Sequence, residues 1–153
     1  MDWLRKIFGK TSKINIDKIA DDFNQNLREI RNAGTVNNEH YTDNVDIIKK
    51  LKREGKNKEA IEILLRSVDA TEAESKFAGA GWGVAPWYYE QLAIIYRKEK
   101  LYQKEIEILE RYSKQTKAPG IGPQKLAMRL IKAKELGRKI WNSNYKLCWG
   151  VRN

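Results

Sequence analysis

The residues able to do covalent or metal chemistry are few and far apart. The chain has one histidine, His40, and one cysteine, Cys148. A Ser-His-Asp or Cys-His arrangement would have to use His40, and no nucleophile is marked near it. A zinc or other His/Cys metal centre needs more ligands than these two. Two carboxylate pairs, Asp21-Asp22 and Asp43-x2-Asp46, fall at expected helix starts, where acids cap and complement the dipole. Gly79-x-Gly81-x-Gly83 lacks the Gly-Lys-Ser/Thr ending of a phosphate loop and follows a helix rather than a strand. The expectation is a protein without catalytic residues, metal or cofactor. What the residues offer instead is binding: many cations, and an aromatic run in which Trp82 is followed by Trp87, Tyr88 and Tyr89. Two roles are open to Trp82, a plug between structural units or a contact presented to a partner.

Composition bounds the class. A chain of 153 residues is one domain by length, and its single cysteine excludes an intrachain disulfide. The first residues, Met1-Asp2-Trp3-Leu4-Arg5-Lys6-Ile7-Phe8, do not form a signal peptide, and no stretch approaches the apolar length of a membrane span. The expectation is a soluble, cytoplasmic protein. Thirty Lys and Arg against twenty Asp and Glu give a net charge of +10. That excess admits an acidic protein surface, nucleic acid or anionic lipid as partner. Many of the charges alternate at helical spacing, as on a solvated mixed surface.

Hydrophobic periodicity predicts helices throughout. Residues 1–14 form a separate short segment, in which Trp3, Leu4, Ile7 and Phe8 share one face; it either packs onto the next helix or lies on a membrane. Ile16, Ile19, Phe23, Leu27 and Ile30 make an apolar stripe on a helix from about 17 to 33, stopped by Gly34. Residues 34–42 read as a polar connector. Further helices are expected over 43–54, from 57 through 78, after Pro86, around Ile106–Tyr112, and over 123–136. Gly79 to Pro86 is a loop, because three glycines are costly inside a helix. Tyr145, Leu147 and Trp149 alternate with polar residues, so 138–153 is read as an extended, basic aromatic tail. The main domain is therefore 15–137.

A repeat runs through that domain. Ile47, Ile48 and Leu51 are matched by Leu92, Ala93 and Tyr96, 45 positions on, and then by Leu126, Ala127 and Leu130 after a further 34. A step of about 34 residues is the period of a stacked helix–turn–helix unit. Tyr89-x2-Leu92-Ala93-x2-Tyr96 with Glu105-x3-Leu109, and Ile47-Ile48-x2-Leu51 with Ala60-x3-Leu64, resemble the tetratricopeptide-repeat family. The small residue lets two helices approach closely. There are departures: Ile48 and Glu105 stand where the family has small residues, and the expected last second helix carries Lys139, Ile140, Asn142 and Ser143. Insertion of residues 77–85 accounts for the longer first step. HEAT-like units predict the step of 45 but not that of 34. The stretch Gly81–Glu90 is also similar to a segment of bacterial or phage repeat proteins, which implies no activity.

The resemblance implies an all-α fold: a short right-handed α-solenoid of antiparallel helix pairs, with helix 17–33 as N-terminal cap and helix 123–136, helped by Ile140 and Trp141, closing the far end. It also implies a concave groove lined by the first helix of each unit. The groove positions would be Val45, Lys49, Lys52 and Arg53; then Glu90, Ile94, Arg97 and Lys98; then Gln124, Met128, Ile131 and Lys132. Val45 occupies a position of the family's carboxylate clamp, which argues against that clamp here. The leading expectation is an adaptor that holds an acidic peptide or protein surface in a basic groove, with Trp82 and Trp87 as further contacts. Nucleic-acid binding through the basic face is the second, and peripheral membrane attachment through residues 2–9 the third.

Overall fold

The computed structural model describes residues 15–36, 38–79 and 81–149, with residues 144–149 described by backbone alone. The amphipathic segment 1–14 and the last four residues lie outside the described residues. The fold is all-α apart from one two-residue β-hairpin. Six helices follow in order: α1 Ile16–Ala33, α2 Val45–Arg53, α3 Asn57–Ala78, α4 Pro86–Lys98, α5 Tyr102–Ser113 and α6 Gly122–Trp149.

Local chemistry sets most boundaries. The Asn15 side chain accepts from the Lys18 amide at 3.1 Å and opens α1. Gly34 ends it, at a place where a Cβ would lie 2.8 Å from His40 Nε2. Gly55, at φ 73°, reverses the chain between α2 and α3. Pro86 stands at the start of α4, where its missing N–H costs nothing.

The connector 34–42 differs from expectation. Thr35–Val36 pairs antiparallel with Glu39–His40, and a 3-10 turn follows over Tyr41–Asn44. His40 is buried, not solvated. The physical reason lies on α3, where the equally buried Glu74 carboxylate requires donors that the connector supplies.

The packing is pairwise. α3 carries α1, α2 and α4; α5 lies on α4; and α6 lies on both α5 and α4. The core runs through Ile48, Leu64, Val68, Tyr89, Leu92, Ala93, Ile95 and Leu109, all buried. Ala93 lacks any exposed surface, consistent with close helix approach. Ala127 is exposed, and its expected role falls to the buried Ala133 and to Gly137, where a Cβ would meet Ile106 Cδ1 at 3.2 Å. Ile47 is exposed as well, so α2 turns only Ile48 and Leu51 fully inward.

Three expectations about the ends are corrected. α1 is an incomplete cap: it rests on α3 with Ile30 buried, while Ile16, Ile19, Phe23 and Leu27 stay exposed. Up to Trp149 the C-terminal tail is helical and not extended, since α6 continues unbroken to that residue. No proline interrupts it, Gly137 is accommodated by Ile106, and the described residues offer no partner strand for the alternation at 145–149. Trp141 is exposed and does not close the end of the stack.

The loop before α4 is stitched down by its neighbours. The Trp82 carbonyl accepts from Ser75 Oγ at 2.5 Å, and the Ala85 amide donates to Thr71 Oγ1 at 2.9 Å. The Val84 amide donates to the Thr116 carbonyl at 3.0 Å, and Val84 forms a parallel bridge with Lys117. The residue that plugs the gap is the fully buried Val84, not Trp82, which remains exposed. Gly83 is required here, because a Cβ would sit 1.8 Å from the Ala118 backbone nitrogen. Backbone cannot swing aside as a side-chain tip can. Gly83→Ala is therefore expected to lose about 3 kcal/mol of stability, read from urea denaturation. A loss under about 0.5 kcal/mol, the usual scale of a surface change, would show that the two loops separate at little cost.

Candidate functional site

Helices α2, α4 and α6 frame two shallow hollows. One lies between α2 and α4 and is lined by Asp46, Lys49, Lys52, Arg53 and Gln91. The other lies between α4 and α6 and is lined by Glu90, Arg97, Ile121, Gln124, Lys125, Leu126, Met128, Arg129 and Lys132.

Of the residues expected in a groove, Lys49, Lys52 and Arg53 line the first hollow and Glu90, Arg97, Gln124, Met128 and Lys132 the second, while Ile94, Lys98 and Ile131 line neither. Lys49 and Arg53 are exposed on α2, and Lys49 makes only a loose exposed pair with Asp46 at 3.4 Å. Lys52 is half-buried and its Nζ donates to Gln91 Oε1, tying α2 to α4. Burial holds the Lys52 amine below its ordinary pKa; the Glu90 carboxylate opposes that effect, and the Lys98 charge adds to it. Ile94 and Lys98 are exposed on α4, and Gln124, Met128, Ile131 and Lys132 on α6. Val45 does not belong to the surface, since its side chain packs against the core.

Arg97 is in the hollow but is already engaged. Glu105 of α5 is 1% exposed, and its carboxylate lies between two arginines. Arg97 Nε donates to Oε2 from one side. Arg129 donates to Oε1 from the other, through Nε at 3.0 Å and Nη2 at 2.9 Å. One buried acid thus links α4, α5 and α6. A paired charge fills a position buried among apolar neighbours.

Trp82 and Trp87 line neither hollow. Trp87 meets Tyr88 edge-on at 5.0 Å, and Tyr88 meets Tyr41 edge-on at 5.5 Å. That cluster belongs to a second buried network. Tyr41 Oη donates to Glu74 Oε2 at 2.5 Å, and Tyr88 Oη donates to the Tyr41 carbonyl at 2.9 Å. His40 Nδ1 accepts from Thr42, which leaves Nε2–H to donate to Glu74 Oε1 at 3.2 Å. A third network joins α3, α4 and α5: Arg111 is bidentate to Glu72 at 2.8 and 2.7 Å and reaches Asp69 at 2.6 Å, while Tyr89 Oη donates to Glu72 at 2.7 Å.

Sequence reasoning missed Lys125, Arg129, Ile121 and Gln91 as members of the surface. The one available signal was Glu105, an acid at a position between inward-facing apolar neighbours, which demands a buried cation nearby. It does not say which cation.

Among the described residues, no cluster of three or more His, Cys, Asp and Glu is arranged to hold a metal ion, and no helix is long and apolar enough to cross a membrane. No family model matches the chain, and neither does any curated protein or solved structure.

Two outcomes follow from these networks. Burial, helped by the nearby Asp43 and Glu74 carboxylates, pushes the Tyr88 hydroxyl up to about 12; Tyr41 and Tyr89 are also pushed up, by burial first and then by their bonds to Glu74 and Glu72. An unfolded tyrosine ionises at about 10. The folded chain keeps these protons where the unfolded chain loses them, so stability is full below pH 10 and drains as pH rises towards 12. Thermal melts should be flat up to pH 9 and fall above 10, less steeply in Tyr88→Phe; an unchanged slope in that variant would deny Tyr88 its part. Replacing both Arg97 and Arg129 by Met strands Glu105 and should cost about 3–5 kcal/mol in urea denaturation. A cost below about 1 kcal/mol would mean that the arginines face the ligand and not the fold.

Proposed function

We propose that the chain is a non-catalytic binding module that takes up an acidic protein segment across α2, α4 and α6, arranged as a short right-handed stack of tetratricopeptide-like helix pairs. The observation that carries this is the lining of the two hollows. Lys49, Lys52, Arg53, Arg97, Lys125, Arg129 and Lys132 stand there against only Asp46 and Glu90. Arg97 and Arg129 together neutralise one buried acid and still leave one positive charge. Clustered cations of this kind attract and orient an anionic partner. The order of packing supports the stack: α2 with α3, α4 with α5, and α6 against both members of the preceding pair.

Apolar side chains accompany the cations: Met128 and Ile121 line the α4–α6 hollow, and Ile94 and Ile131 are exposed elsewhere on α4 and α6. Neither Trp82 nor Trp87 lines either hollow, so the aromatic platforms that single-stranded nucleic acid uses are not placed at the cations. A protein segment carrying both acids and apolar side chains is the better fit. Membrane attachment through residues 2–9 concerns a segment outside the described residues and draws no support from this surface.

The test is an anisotropy titration with a fluorescein-labelled helical peptide that carries Glu on one side and Leu at i, i+3 and i+4 positions. The combined Lys49→Glu, Arg53→Glu and Lys132→Glu variant should weaken binding at least about tenfold, or 1.4 kcal/mol. A control with the same charge change at Lys58, Lys104 and Lys139, which line neither hollow, should not. Equal affinity in the two variants, or tighter binding of a single-stranded oligonucleotide than of the peptide, would overturn the reading.

A further inference from the structure

Helix α1 leaves four large apolar side chains in water: Ile16 is 75% exposed, Ile19 56%, Phe23 62% and Leu27 39%. They form one stripe with Ile30, the only residue of α1 that is buried. Contiguous apolar surface of this kind marks an interaction site. Over its first three turns Asp17, Asp21 and Asp22 stand against Lys18 alone, and over the whole of α1 four acids stand against three cations. This is the chemistry that the cationic surface of α2, α4 and α6 fits, where the exposed Met128 lines the α4–α6 hollow beside Lys125 and Lys132.

We infer that the acidic, apolar stripe of α1 docks into the α2–α4–α6 surface of a second copy of this chain. The inference rests on the reading of that surface as an acidic-segment groove, and it names the occupant. The stripe from Ile16 to Leu27 is three helical turns, about 16 Å at 1.5 Å per residue. A chain cannot fill its own groove this way, because α1 is fixed to α3 through Ile30 and lines neither hollow. Stripe and groove are different surfaces of one molecule, so the contact is head-to-tail, and each copy offers one of each.

The full chain tests this by sedimentation velocity over a concentration series. It should self-associate, and less so in about 1 M salt, where exposed charges are screened. Phe23→Asp breaks the stripe, and Lys49→Glu with Met128→Glu and Lys132→Glu breaks the groove; each variant alone should sediment as a monomer. All four positions are exposed, and circular dichroism on each variant checks that the helical fold is kept. Mixed one to one, the two variants should form a heterodimer, since one intact stripe and one intact groove remain. A wild-type chain that stays monomeric throughout, or a mixture that does, overturns the inference. So does self-association that Phe23→Asp abolishes but the groove variant retains, which would mean stripe-to-stripe contact. The Glu/Leu peptide separates the two readings: a groove that binds it in a chain that never self-associates leaves only the docking of α1 refuted.

Discussion

A carboxylate removed from water must either give up its charge or find cations, and Glu105 has found two. Its arginines come from α4 and from α6, so a single buried acid on α5 fixes the triangle of these three helices. Attraction between such groups barely repays their desolvation, and the triad adds little net stability over an apolar core of the same shape. What it does set is position. Arg97 and Arg129 both point inward at the base of the α4–α6 hollow, so the cations left to meet a ligand are the lysines around them. The surface and the fold therefore share residues, and Arg97 cannot be counted as a free contact.

The same economy governs the other buried polar groups. α3 is long and carries Glu72 and Glu74, each satisfied by a different neighbour. Glu72 takes Arg111 from α5 and Tyr89 from α4, which ties the middle of the bundle. Glu74 takes His40 and Tyr41 from the connector, which fastens the chain between α1 and α2. The only histidine of the chain is thus engaged in holding that connector, with both ring nitrogens bonded. Buried donors and acceptors left unpaired are expensive, and this is why the connector folds into a hairpin and a 3-10 turn instead of trailing over the surface.

The helices were legible in the sequence because their signals are local. The stripe Ile16–Ile30, the glycines at 34, 55 and 79–83, and Pro86 each fix a boundary without reference to the rest of the chain. Outward positions on α2, α4 and α6 were legible in part: helical spacing places Lys49, Arg53, Gln124, Met128 and Lys132 on the surface, but it also names Val45, which packs against the core. Other features depended on partners that no local pattern names. Val84 rather than Trp82 fills the loop, because Gly83 lets the backbone lie against Ala118, and that brings in the residue next to it. The alternation at Tyr145, Leu147 and Trp149 reads as a strand only if a second strand is at hand; without one, uninterrupted helix propensity carries α6 onward. Arg129 entered the surface because Glu105 required it, a pairing between residues 24 apart that periodicity does not encode.

The division of labour on the α2–α4–α6 surface constrains what can be held there. Each exposed lysine gains little from an acidic partner, about 0.2–1 kcal/mol in water, so charge alone gives fast encounter and poor retention. On the proposed reading, residence comes from surface removed from water, for which Met128 lines the α4–α6 hollow and Ile94 and Ile131 are exposed on the same helices. Methionine is suited to this role, since its unbranched side chain adapts to varied shapes. A purely acidic segment would be captured and lost, and a purely apolar one would lack steering. On the same reading the segment held must carry both, and within this chain the first three turns of α1 are such a segment.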